Sequence, residues 1–160
     1  KYSIGYKGEY YQKDKIYLNG VQLNNLLKRW NMPGSQGNLY LKSSIGHAHQ
    51  LDNDNIYGFI GMAGDFETRK YFISYDGKYY KSDGNIINNF EQSARIGIAP
   101  YVANYGNIHT WLMLQISHNS KFENSKLITT PIIRLFKGAH LVEFGVSSNK
   151  NFIFNLIVRF

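Results

Sequence analysis

The chain has 160 residues, 43% of them hydrophobic and 16% aromatic, with 13 Tyr, 10 Phe and 15 Gly against 3 Pro. This is enough for a single domain with a core, and the balance favours strands and turns over helices. The lack of Cys excludes disulfides and thiolate metal sites, and a net charge of +7 carried by scattered basic residues argues against a nucleic-acid partner.

In chain order, Tyr2 to Tyr11 alternates, with Tyr2, Ile4, Tyr6, Gly8 and Tyr10 on one face and Ser3, Lys7, Glu9 and Tyr11 on the other. Gln12 to Lys15 is a polar turn, and Ile16 to Leu18 begins a short return strand ended by Asn19-Gly20. Leu23, Leu26, Leu27 and Trp30 then fall at helical spacing, which predicts one short amphipathic helix near 21–30, capped by Asn19 and stopped by Pro33-Gly34. Such a helix is marginal alone, so its stripe is expected to plug one end of the fold or to dock an envelope protein partner.

Asn38 to His49 is the next strand, with Tyr40, Lys42, Ser44 and Gly46 on its mixed face. Ile56 to Ala63 and Phe66 to Asp76 read as two strands joined near Gly64-Asp65, with Glu67, Arg69, Tyr71 and Tyr75 sharing a face. The polar stretch from Asp76 to Asn89 reads as a long loop. Phe90 to Val102 sets Gln92, Ala94, Ile96 and Ile98 against Glu91, Ser93, Arg95 and Gly97. Ile108 to His118 sets Leu112, Leu114 and Ile116 against His109, Trp111, Met113 and Gln115. After a polar loop at 119–125, Lys126 to Phe136 and His140 to Val146 alternate in the same way. The last segment, N-F-I-F-N-L-I-V-R-F, puts Phe152, Phe154, Leu156, Val158 and Phe160 on one face.

That final segment resembles the closing strand of bacterial outer-membrane β-barrels, which end on Phe with apolar residues at every second position. The resemblance implies a bacterial outer-membrane location with lipids and lipopolysaccharide as surroundings. The whole pattern reads as all-β: a closed antiparallel up-and-down transmembrane barrel of about eight to ten strands, a single domain over 1–160, whole or a segment of a longer chain. Several strands have the roughly 9–11 residues a tilted crossing needs. Alternation by itself fits a soluble ligand-binding barrel as well, with its apolar face turned inward. The mixed faces favour the membrane form. They carry Lys7, Glu9, Glu67, Arg69, Glu91, Arg95, Arg134, Glu143 and Arg159, a nearly balanced set expected to form an ionic lumen network. Lysines expected in outer loops, Lys78, Lys81, Lys121, Lys126 and Lys150, are candidates for lipopolysaccharide contacts, since an ammonium is a point-charge partner for phosphate.

The sequence contains no phosphate loop, nucleophile elbow or metal-ligand cluster, and no cofactor is expected. His47 and His49, near Asp52 and Asp54, read as polar residues at a strand end. His118-Asn119-Ser120 places a base and a hydroxyl two residues apart at a strand end. It resembles the His-x-Ser pairs of lipid A deacylase and outer-membrane phospholipase A, although Lys121 stands where those families carry Asn. The resemblance implies acyl-ester hydrolysis by His118 and Ser120. The leading expectation is a non-enzymatic outer-membrane barrel acting as scaffold, adhesin, receptor or part of an export pore. The hydrolase is its alternative.

Overall fold

A computed structural model describes residues 1–11, 14–104, 106–120 and 127–158. The strands are β1 (Tyr2–Tyr11), β2 (Ile16–Met32), β3 (Ser35–Gln50), β4 (Asn53–Thr68), β5 (Tyr71–Ser82), β6 (Asn88–Ile98), β7 (His109–Asn119), β8 (Ile128–Lys137), β9 (His140–Val146) and β10 (Phe152–Val158). They form one 10-stranded sheet in sequence order, with every described pairing antiparallel. Among the described residues a single 3-10 turn, Asp83–Asn85, interrupts the strand pattern.

The sheet is curled. Flat neighbouring strands lie about 4.8 Å apart, so β1 and β6 would be separated by more than 20 Å in a flat sheet. Yet the Tyr11 hydroxyl of β1 donates to Glu91 of β6 at 2.6 Å, and Lys7 of β1 reaches the Tyr80 hydroxyl of β5 at 2.8 Å. Side chains that meet across several strands define the concave face. Stagger accompanies the curl. Following direct partners from Tyr2, the first residue of β1, leads through Asn25, Leu41, Met62, Gly77 and Gln92 to His118, the penultimate residue of β7. This is the shear that tilted barrel strands require. The described pairing leaves β1 and β10 as the two edges of the sheet, and closure is not part of it.

The expected helix near 21–30 is β-strand instead, the middle of the long β2. The partner register slips between Leu26 and Lys28, so Leu27 is a bulge. Before it, odd-numbered residues such as Val21 and Leu23 point to the convex face. After it, Lys28 and Trp30 do, while Arg29 turns to the concave face beside Asn38. One extra residue in an alternating strand thus produced the spacing of a helical stripe. The helix-borne partner site has no structural basis.

Two further boundaries move. The turn expected at Gly64-Asp65 lies at residues 69–70, so β4 runs on through Glu67 and places Tyr71, Ile73 and Tyr75 on the exposed convex side. The polar stretch after Asp76 is mostly the second half of β5 and the start of β6. Its Ile86 and Ile87 join Ile16, Leu18, Ala48, Tyr57, Phe59 and Tyr80 in a small apolar cluster. That cluster occupies the concave face at the end where β1 leads to β2, β3 to β4 and β5 to β6. At the other end β2 leads to β3, β4 to β5, β6 to β7 and β8 to β9.

Where β2 crosses β3, glycine is required for close approach. A Cβ on Gly46 would stand 2.0 Å from the Asn19 carbonyl oxygen, and one on Gly20 would stand 2.6 Å from that of Ile45.

Candidate functional site

Polar side chains cluster on the concave face. Glu143 of β9 is its most buried charge, with the side chain 5% exposed. Its Oε1 accepts from Arg95 Nη1 at 2.9 Å and from Arg134 Nε at 2.7 Å, and its Oε2 accepts from Asn155 Nδ2 at 2.8 Å. Arg95 also donates from Nε and Nη2 to Gln115 Oε1 at 3.2 and 2.7 Å, and the Arg134 guanidinium lies 4.8 Å over the Phe72 ring. Four strands, β6 to β9, converge there with β10. A carboxylate this buried is tolerated because both oxygens are satisfied by charge-assisted or amide donors.

A second cluster centres on Asp76, held between Lys42 of β3 and Lys78 of its own strand, the latter at 2.9 Å. A third is the direct Lys7–Glu9 ion pair at 2.9 Å, with the Tyr80 hydroxyl accepting from Lys7 and donating to Glu9. A fourth gathers Tyr11, Asn89 and Asn119 onto Glu91 Oε1 at 2.6, 3.1 and 2.8 Å. Near the opposite end, Asn38 accepts from Arg29 and donates to Asp65, both at 2.7 Å. The Glu143, Asp76 and Asn38 groups line a cavity of about 720 Å³ that includes Arg29, Lys42, Asp76, Arg95, Arg134 and Glu143.

Of the candidate lumen residues, the structure brings together Arg95, Arg134 and Glu143, and separately Lys7 and Glu9. Glu91 takes neutral donors. Glu67 has no hydrogen bond or ion pair among the described residues, Arg69 is exposed at a turn, and Arg159 lies outside the described residues. Sequence reasoning missed Asp76 by assigning it to a loop. It left out Lys42 although alternation had put that residue on the mixed face. Arg29 was hidden by the bulge.

The lysines expected in outer loops separate. Lys78 belongs to β5 and is paired inward with Asp76, so it is not a loop residue. Lys81 and Lys150 are exposed near the end that carries connections 83–87 and 147–151. Lys121 and Lys126 lie outside the described residues. His47 pairs with Asp54 at 3.3 Å on the surface, and His49 is exposed. Among the described residues no group of three potential ligands could hold a metal ion.

His118, next to last in β7, lies opposite Gln92, and its Nδ1 is buried without a hydrogen-bond partner among the described residues. The Ser120 hydroxyl oxygen accepts from the Phe90 backbone N–H at 2.7 Å, and Ser120 N–H donates to the Phe90 carbonyl at 2.9 Å. Ser120 therefore continues the β6–β7 ladder through its side chain. Among the described residues no hydrogen bond joins it to His118.

Comparison with protein-family models, curated proteins and solved structures finds no match.

Proposed function

We propose that this chain forms the wall of a non-enzymatic outer-membrane β-barrel, with β1 and β10 closing the sheet and the concave face as a filled, polar lumen. The supporting observation is the inverted distribution of polarity. The concave face holds paired charges. The convex face leaves large apolar residues uncovered along the sheet: Ile4 is 72% exposed, Ile45 67%, Ile73 55%, Ile96 56% and Phe154 66%. An apolar surface this continuous needs an apolar solvent or a partner, because soluble monomers rarely expose patches beyond a few hundred square ångströms. A ring of lipid covers it without demanding any particular shape. The soluble ligand-binding barrel has the opposite arrangement, apolar within and polar without.

Closure is topologically natural. With an even strand number and strict alternation of direction, β1 and β10 run antiparallel, and joining them removes both exposed edges. In this orientation Lys81 and Lys150 lie at the outer end and are positioned for the phosphates of lipopolysaccharide.

Spin labels at Ile73, Ile133 and Phe154, compared with a label at Gln115, test this reading in a lipid-reconstituted sample. The three convex sites should be accessible to oxygen and shielded from a water-soluble relaxation agent, and Gln115 should not follow them. A protein that refolds to a monomer in plain buffer, with convex labels open to water, would refute the proposal.

A further inference from the structure

Six acidic side chains face the concave side, and five of them are occupied. Glu9 has Lys7, Asp65 has Asn38, Asp76 has Lys42 and Lys78, Glu91 has Tyr11, and Glu143 has two Arg. Glu67 is the exception among the described residues. It lines both the polar interior cavity and a second cavity of about 460 Å³ at the mouth near Arg69 and residues 102–104.

Aromatic rings make up much of that mouth. His109 and Phe136, partners across β7–β8, have ring centroids 6.1 Å apart. Trp111, the next inward residue of β7, meets Phe72 edge-on at 6.2 Å, and Phe72 is the direct partner of Glu67 across β4–β5. A carboxylate with no partner among the described residues, sharing a cavity with Trp111, His109 and Phe136, is an arrangement suited to a quaternary ammonium. Such a cation is weakly hydrated, so it loses little on leaving water and gains from both the π faces and the charge. A single carboxylate does not provide the oxygen ligands that Ca²⁺ or Mg²⁺ require. Arg69 lines the same cavity from the exposed turn. It would repel a simple cation but complements an anionic group carried beside the ammonium. The volume lies within the usual range of small-molecule sites.

We propose that this mouth binds a small zwitterion, with its alkylammonium group against Trp111, Phe136 and the Glu67 carboxylate and its carboxylate or phosphate toward Arg69. The proposal requires only the concave face and stands apart from the membrane assignment.

Calorimetric titration of the protein refolded in a non-ionic glycoside detergent tests it, since a zwitterionic detergent would compete for the site. The probes are glycine betaine, tetramethylammonium and acetate. Betaine should bind saturably and more tightly than tetramethylammonium, and acetate should give no saturable heat. Glu67→Gln and Trp111→Leu should each weaken betaine about tenfold, equivalent to about 1.4 kcal/mol. Arg69→Gln should reduce betaine to the affinity of tetramethylammonium. Circular dichroism confirms that each variant is folded. Glu67→Gln also preserves side-chain volume, so its loss of binding is separable from misfolding. Absence of betaine binding to the folded parent, binding that survives Glu67→Gln, or acetate binding as tightly as betaine would overturn the proposal. Betaine binding no tighter than tetramethylammonium would overturn the zwitterion assignment.

Discussion

Glu143 is the residue on which the greatest buried charge converges. Both of its oxygens are satisfied, and truncation would leave Arg95 and Arg134 facing each other without a counter-ion. Breaking a buried ion pair by removing one partner typically costs about 3–5 kcal/mol. Glu143→Ala should therefore lower the unfolding free energy of the refolded protein by an amount of that order, read as a lower urea midpoint, and Glu143→Gln should lose less because it still accepts hydrogen bonds. A midpoint equal to the parent's for Glu143→Ala would mean that the cluster contributes nothing to stability. Gly46 is the other residue with a clear physical demand. Even the methyl group of Gly46→Ala would meet the Asn19 carbonyl, so β2 and β3 would have to separate. The variant should refold in lower yield than Gly64→Ala, where an added Cβ finds only ordinary contacts. At Ser120 the expectation is the reverse. Its hydroxyl serves the Phe90 amide, so Ser120→Ala should leave fatty-acid release from lipid A or phospholipid unchanged at background. Release by the parent that disappears in Ser120→Ala would establish the hydrolase reading.

At the scale of elements, β2 is the most informative strand. The bulge at Leu27 turns Arg29 to the concave side and leaves Trp30 outside. Deleting Leu27 would join Leu26, inward, directly to Lys28, outward, and so preserve the face of every following residue. Deleting Ser43 from the unbulged β3 would send one part of that strand's side chains to the wrong face. The Leu27 deletion should thus refold with the emission maximum of Trp30 nearly unchanged in a Trp111→Phe background. The Ser43 deletion should fail to refold. Equal outcomes for the two would show that this bulge does not set the facing of β2.

At the scale of the whole molecule, charged clusters lie on the concave face and large apolar residues are exposed on the convex face. The apolar cluster at one end and the charged clusters along the cavity fill much of the interior with side chains, as narrow barrels require. This argues against a wide pore through these strands alone. Lys81 and Lys150 are exposed at the end that the proposed orientation turns outward. If they meet lipid phosphates, changing both to Gln should weaken lipopolysaccharide binding and flatten its salt dependence, because each ammonium–phosphate contact is screened by salt. Binding of lipopolysaccharide by the double variant with the parent's affinity and salt slope would exclude these residues as contacts.

Much of the strand pattern was legible in sequence because alternation is local. The mixed faces of β6 and β7 followed from parity alone, and so did the shared phase of Arg134 and Glu143 on neighbouring strands. Parity fails wherever one residue is added, as at Leu27. It also fails where a turn has no strong signal, as at residues 69–70, where the chain reverses between Thr68 and Tyr71 without Gly or Pro. Which charges meet is a separate matter. The contacts between Tyr11 and Glu91, and between Lys42 and Asp76, join strands far apart in sequence. They exist because the sheet curls, and curl and shear are properties of all the strands together rather than of any ten residues. Sequence alone determined the all-β class, the up-and-down order and the two-faced strands. Only the tertiary structure decided which inward charges pair and that Glu67 has no partner among the described residues, since curvature sets the distances across the concave face.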